Sequence, residues 1–226
     1  MILKQEAASQ ALKFVRNGMV LGLGTGSTTA YFIDMLGERI ARGALKDIFA
    51  VPTSETTAAR ARRLGIQLTT LAECRKLDLA LDGADEVDPQ LNLIKGLGKA
   101  LLREKIVEIH ASRLIIAVDE SKIVPRLGRG PLPVEITPFE AQAQVFWLEA
   151  LGCRAELWHE EDGSLIVTDN GNYLVRCWFE DGITDAYALS RSLADRPGIV
   201  EHGLFLDMAD QVIVAGLDGI RTMERS

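Results

Sequence analysis

Asp82-Gly83-Ala84-Asp85 closes the apolar run Leu77-Asp78-Leu79-Ala80-Leu81 and puts two carboxylates into one tight turn. Like charges held close raise the pKa of at least one partner, so the pair calls for a polar ligand or a cation beside it. Ten residues beyond Asp85 stands Lys95, which opens the turn Lys95-Gly96-Leu97-Gly98. Two acids, a lysine and a glycine turn suit a small, anionic, hydroxyl-rich molecule. A second cluster, Gly24-Thr25-Gly26-Ser27-Thr28, sits between a strand pattern and a helix pattern. Its glycines let backbone approach an anion, the helix N-terminus offers free amides, and Ser27 and Thr28 add hydroxyls.

Each of these has a plainer reading. Asp-Gly, with Asp88-Pro89 behind it, also fits a solvated loop. Lys95 also fits a surface lysine, and Gly24–Thr28 a strand-to-helix turn with a serine cap. The dinucleotide fingerprint fails, because Ser27 or Thr29 stands where its third glycine belongs. A P-loop fails for want of Gly-Lys-Ser/Thr, and no Gly-x-Ser-x-Gly elbow is present. His110, His159 and His202 show no ligand spacing for zinc.

The elements that position these clusters alternate between helix and strand. Residues 4–17 read as a helix, Met19–Leu23 as a strand, then a helix to about Ile40. Strands follow at Ile48–Val51, Ile66–Leu68, Leu77–Leu81 and Leu114–Val118, with a helix capped by Ser54 and another at about 99–111. Near-continuous apolar strands separated by helices predict a parallel sheet covered on both faces. Ligands bind outside the carboxyl ends of such strands. Gly24–Thr28, Asp82–Asp85 and Asp119-Glu120-Ser121-Lys122 all fall there. In the 99–111 helix the apolar stripe reads Leu102, Ile106 and Ile109. Glu104 lies about 160° from that stripe, which predicts a solvated side chain.

Beyond about residue 128 the pattern becomes strand-helix-strand-strand-helix-strand: Val134–Ile136, Pro138–Leu151, Arg154–His159, Leu165–Thr168 with Tyr173–Phe179 as its partner or continuation, 184–194 and Ile199–Phe205. That is the ferredoxin-like split unit. Gln211–Ala215 then rejoins the first sheet. The expected architecture is a doubly wound, mostly parallel, Rossmann-like α/β domain (1–127 plus 208–226) carrying an inserted ferredoxin-like α+β domain (128–207).

At 226 residues the chain has room for such a pair. Its 25 basic against 32 acidic residues give a formal charge of −7, without a basic stripe for nucleic acid. Three scattered cysteines (Cys74, Cys153, Cys177) match neither a disulfide framework nor a zinc pattern. The start lacks a signal peptide's regions, and no apolar run reaches membrane-spanning length. A cytoplasmic protein is expected, with no nucleic-acid or membrane partner. Trp147, Trp158 and Trp178 all fall in the insertion, as core or interface residues.

Several motifs together resemble type A ribose-5-phosphate isomerase, in order and spacing. They are Gly22-Leu23-Gly24-Thr25-Gly26-Ser27-Thr28, Asp82-Gly83-Ala84-Asp85, Lys95-Gly96-Leu97-Gly98, Arg103-Glu104-Lys105-Ile106, Ser121-Lys122, Leu132-Pro133-Val134-Glu135, Thr168-Asp169-Asn170-Gly171-Asn172 and Pro197-Gly198-Ile199-Val200. The resemblance runs from about residue 4 to 222. It implies interconversion of ribose 5-phosphate and ribulose 5-phosphate, in the non-oxidative branch of the pentose phosphate pathway. The reaction would need no metal or cofactor and would pass through an enediol(ate). The resemblance gives Glu104 the role of base between C1 and C2 and Lys95 that of stabilising the carbonyl oxygen. Asp82 and Asp85 would hold hydroxyls and assist ring opening or proton transfer between oxygens. Thr25, Gly26, Ser27, Thr28, Gly83, Ala84, Gly96, Leu97, Gly98 and Lys122 would bind substrate. It also implies a homodimer or homotetramer. Leu97 and Lys99 stand where the family often has glycine, making that turn less pliant. The competing reading is a non-catalytic sugar-phosphate-sensing module on the same fold. Such sensors carry a DNA-binding helix-turn-helix ahead of the sheet. Here about 18 residues, read as one helix, precede the first strand and the net charge is acidic, so the isomerase is the expected reading. A nicotinamide-dependent oxidoreductase is weakened by the failed glycine fingerprint.

Overall fold

The structure, a computed structural model, describes residues 2–225. The chain runs α1 (Ile2–Ala11), β1 (Val20–Leu23), α2 (Ser27–Ala41), β2 (Phe49–Pro52), α3 (Glu55–Arg63), β3 (Gln67–Leu68), α4 (Leu71–Cys74) and β4 (Leu79–Asp82). It continues through β5 (Glu86–Val87), β6 (Leu93–Ile94), α5 (Leu101–Glu108), β7 (Leu114–Asp119), β8 (Leu132–Ile136), α6 (Ala141–Glu149) and β9 (Arg154–Leu157). Last come β10 (Tyr173–Trp178), α7 (Ala186–Ala194), β11 (Ile199–His202), β12 (Leu204–Phe205), β13 (Gln211–Gly216) and β14 (Gly219–Glu224). Two compact units emerge. The first takes the chain up to Ala84, Arg103–Lys122 and the segment from Asp207 on; the second takes Asp85–Leu102 and Ile123–Leu206.

The first unit is a seven-stranded sheet of order β14-β13-β7-β4-β1-β2-β3. Every pairing is parallel except the terminal β13–β14 hairpin. The apolar runs explain this: all of Leu114–Val118 is buried, as a strand covered on both faces requires. Leu21, Leu23, Leu81, Ile115 and Ile213 pack with Leu12 beyond α1 and with Phe32, Ile33 and Leu36 of α2. Each such side chain contributes roughly 1.5–3 kcal/mol by leaving water. Val107 of α5 joins Leu77 and Val51 in a separate cluster. Ser54 accepts the Thr57 amide at 3.0 Å and caps α3, as the sequence predicts. The first helix ends earlier than expected, with a 3-10 turn at Leu12–Phe14, and β14 was not anticipated. No helix among the described residues is long and apolar enough to cross a membrane.

In the second unit, β8-α6-β9-β10-α7-β11 form an antiparallel sheet of order β11-β8-β10-β9, the order of the split strand-helix motif. Val145, Leu148 and Leu193 from its helices bury Leu132, Val134, Ile136, Val175 and Cys177. Two expectations change here. Leu165–Thr168 forms no strand, only isolated bridges between His159 and Leu165 and between Val167 and Tyr173. Thr168, Asn170 and Asn172 instead donate to Oε1 of Glu135, at 2.9, 3.1 and 2.8 Å, so side-chain bonds replace the ladder. The expected strand 199–205 breaks at Gly203. Beyond it β12 leaves the four-stranded sheet and pairs with β6, giving a separate sheet of order β12-β6-β5. That pairing draws Asp85–Leu102 into the second unit, which is therefore wider than the 128–207 insertion expected from sequence.

Candidate active site

The three clusters that chain order assigned to one sheet edge follow β1, β4 and β7, which are adjacent parallel strands. Gly24–Thr28, Asp82 and Asp119–Lys122 therefore share the carboxyl edge of the first unit.

Asp82 is the buried centre of that edge, 3% exposed. Its Oδ1 accepts from the Thr29 hydroxyl at 3.0 Å and the Gly83 amide at 2.7 Å. Gly24 passes directly over the carboxyl group, where an added Cβ would lie 1.9 Å from Cγ. Only glycine fits there, so the β1 turn and the Asp82 side chain are built against each other. Gly26, at φ +145°, then turns the backbone into the N-terminus of α2.

The turn is locked from its far side. The Thr25 hydroxyl is 2.8 Å from those of Thr53 and Ser54 and 3.1 Å from that of Thr57. Thr57 in turn donates to the Gly24 carbonyl at 2.9 Å. The Thr25 side chain is thus a structural tie, whereas Ser27 lies exposed at the helix start. Lys4 of α1, which no sequence motif marked, donates its Nζ to Ser27 Oγ at 2.8 Å and brings a cation to this N-terminus. After β7, the Asp119 carboxylate takes the Ser121 hydroxyl and amide, shaping the short turn that carries Lys122.

Glu104 overturns the helical-wheel expectation. It is 2% exposed, whereas Ile106 and Ile109 are 42% and 63% exposed. The inward face of α5 is Leu101, Glu104, Val107 and Glu108, so the helix is rotated away from the stripe its isoleucines suggest. Neighbouring Arg103 points outward and binds Glu55 at 2.9 Å. Burying the Glu104 and Glu108 carboxylates while exposing two isoleucines runs against transfer energetics.

The second unit carries the remaining candidates. Lys95 is 2% exposed and follows β6. Asp85 donates its amide to the Ile94 carbonyl at 2.8 Å, and its Oδ2 accepts the Leu97 amide at 2.8 Å. The Leu97 N–H therefore serves to hold Asp85. Gly96 adopts φ +115° with Leu101 and Pro133 close by. Lys99 takes a left-handed φ of +66° and ties the turn down through Glu160 at 2.6 Å. Among the described residues, no group of three or more His, Cys, Asp or Glu side chains is placed to hold a metal.

The family model for ribose 5-phosphate isomerase A (phosphoriboisomerase A) matches residues 49–219. The chain belongs to the ribose 5-phosphate isomerase A family. A curated relative from Rhodopseudomonas palustris (strain TIE-1), a ribose-5-phosphate isomerase A, is 51% identical over 99% of this chain and 98% of its own. A probable ribose-5-phosphate isomerase 2 of Arabidopsis thaliana is 47% identical over 97% of this chain and 85% of its own. A solved D-ribose-5-phosphate isomerase in complex with phospho-erythronic acid superposes with a TM-score of 0.95 at 43% identity, covering 99% of this chain and 98% of that one. The family's aldose–ketose isomerase fold therefore extends across nearly the whole chain.

Proposed function

We propose that this isomerase interconverts D-ribose 5-phosphate and D-ribulose 5-phosphate through an enediolate, in the non-oxidative branch of the pentose phosphate pathway and without a metal. The observation that carries the reading is Glu104, a carboxylate buried on α5 against its own hydrophobic pattern. Glu104 takes the proton from C2 of the open-chain aldose, and the electron pair moves into the C1–C2 bond while charge collects on O1. The Lys95 ammonium meets that charge, the effect expected to dominate an enolate-like transition state. Glu104 then returns the proton to C1, since a carboxylate can take and give on one substrate face. Asp82 and Asp85 hold the hydroxyls and carry the O2 proton toward O1.

We assign the phosphate to the α2 N-terminus, with Ser27, Thr28 and the backbone of Thr25 and Gly26. Lys4 and Lys122 supply cations on the same edge. Gly83, Ala84, Gly96, Leu97 and Gly98 complete the proposed substrate-binding set as backbone. The same reading makes the protein a cytoplasmic homo-oligomer. Cys74, Cys153 and Cys177 are free thiols, as a reducing compartment maintains, and Phe139 and Phe146 offer exposed apolar surface. The test is incubation of purified protein with ribose 5-phosphate, following ribulose 5-phosphate by NMR with and without EDTA. Chelator-insensitive turnover is expected. Substrate binding without turnover would replace the isomerase with a sensing module.

A further inference from the structure

Glu86 follows the Asp82–Asp85 turn directly and is 3% exposed, although the chemistry proposed above does not use it. Side chains alternate along β5, so Glu86 leaves the strand on the side opposite Asp85. There three successive backbone amides close on its carboxylate. Oε2 accepts from Gly128 at 2.7 Å and from Arg129 at 3.3 Å, and Oε1 accepts from Gly130. Gly128 holds a left-handed φ of +95°, and a Cβ there would lie 2.9 Å from both Cγ1 and the amide nitrogen of Ile183. The loop is a ring of donors shaped for an anion, and the chain fills it with its own carboxylate. The backbone of β5 is held on both edges. On one, Glu86 pairs with Ile94 and Val87 with Leu93. On the other, the Val124 amide donates to the Val87 carbonyl at 2.9 Å beside a bridge from Val87 to Ile123. Asp85 precedes Glu86, and Lys95 follows Ile94. The Glu86–Ile94 rung therefore carries both groups at its end, and the Glu86 side chain bolts that rung to the 128–130 loop.

We propose that Glu86 is a positioning residue for catalysis: by gripping the Gly128–Gly130 amides it sets where the β5–β6 rung holds Asp85 and Lys95. The inference rests on the roles proposed for those two residues. Bonds to fixed backbone donors are directional, so they set the depth of the rung as well as its register. A glutamine of the same size does not do this, because its NH2 group would face an amide donor. An apolar side chain would leave buried amides without acceptors, and the loop would open to water.

The test uses Glu86→Gln in the full-length protein, assayed well below its melting temperature. Its kcat for ribose 5-phosphate is expected to fall about ten- to a hundredfold, the loss that a shift of up to about 1 Å in reacting groups predicts. The phosphate is assigned to a different element, α2, so competitive inhibition by inorganic phosphate should stay within about twofold of the parent. Glu86→Ala empties the ring of amides. Formate, a carboxylate small enough to refill it, should raise kcat of that variant by about tenfold, whereas its neutral counterpart formamide should not. A kcat within about threefold of the parent in Glu86→Gln, or phosphate inhibition that weakens in step with kcat, overturns the proposal. So does a Glu86→Ala protein that formate leaves unchanged. Asp85→Asn and Lys95→Met separate the two readings. If those variants are inactive while Glu86→Gln turns over normally, only the role of Glu86 fails. If they turn over normally, the roles of Asp85 and Lys95 fail and the proposal falls with them.

Discussion

Gly24→Ala tests the account at its tightest point. The new methyl would stand 1.9 Å from Cγ of Asp82 and 2.0 and 2.3 Å from its oxygens, closer than real Cβ atoms approach anything. Asp82 must retreat by about 1 Å, pulling Oδ1 away from the Thr29 hydroxyl and the Gly83 amide that now hold it. Hydrogen bonds to charged groups contribute about 1.5–3 kcal/mol each. Partial loss of two, in a buried site, predicts a destabilisation of about 2–4 kcal/mol. For a chain of this size that lowers Tm by roughly 5–15 °C. A displacement of about 1 Å in a catalytic group also predicts about 10²-fold lower kcat/KM. Thermal unfolding and steady-state kinetics read the two effects separately. Because the clash is with the Asp82 side chain itself, Gly24→Ala/Asp82→Ala should be more stable than the sum of the single changes by at least 1 kcal/mol. It should nevertheless remain inactive. Wild-type Tm and rate in Gly24→Ala, or strict additivity in the double variant, would refute the reasoning.

Thr29→Val keeps the shape of α2 but removes a donor from buried Asp82. A stability loss of about 1–3 kcal/mol by denaturant titration is expected, with kcat reduced and no gross change in fold. Lys99→Gly removes a left-handed lysine while breaking an ion pair to Glu160 that is partly exposed on both sides. These effects oppose each other at about 1 kcal/mol apiece, so Tm should move by no more than a few degrees. The Glu73 carboxylate is held below its ordinary range by the Thr69 hydroxyl and the Thr70 amide and hydroxyl. Its folded pKa is depressed, so its contribution is present at neutral pH and lost as pH falls through that lower value. NMR titration should show Glu73 protonating later than in a Thr69→Ala variant, and equal midpoints would remove the hydroxyl as the cause.

The fold was legible where side-chain period and burial agree. Leu79–Leu81 and Leu114–Val118 are apolar without interruption, so strand type, parallel pairing and the polar carboxyl edge all follow from them. The split motif was legible as an order of elements, though not the fate of Leu165–Thr168. There Glu135, in a different strand, captures Thr168, Asn170 and Asn172, and local pattern does not encode a distant acceptor. Nor does local pattern reveal that Gly203 hands the chain from one sheet to another. At the site, glycines and acids in sequence named Asp82, Asp85 and Lys95 because turns concentrate such residues. Glu104 was invisible to periodicity. A hydrophobic stripe assumes that apolar residues decide which way a helix faces, and α5 violates that by turning Glu104 and Glu108 inward with Ile106 and Ile109 outward. The one signal for it was the resemblance of Arg103-Glu104-Lys105-Ile106 to a known motif. Thr29, Thr53, Ser54, Thr57 and Lys4 support the site through contacts 23–53 residues away in sequence, which no local motif reports.

The central claim is that buried Glu104 moves the carbon-bound proton, and Glu104→Gln tests it most directly. The amide preserves size and hydrogen-bonding reach but cannot accept the proton. The account predicts a loss of about three or more orders of magnitude in ribose 5-phosphate turnover, with unfolding midpoint and affinity for an unreactive sugar-phosphate analogue near those of the parent. Near-normal turnover in a correctly folded Glu104→Gln protein would contradict it.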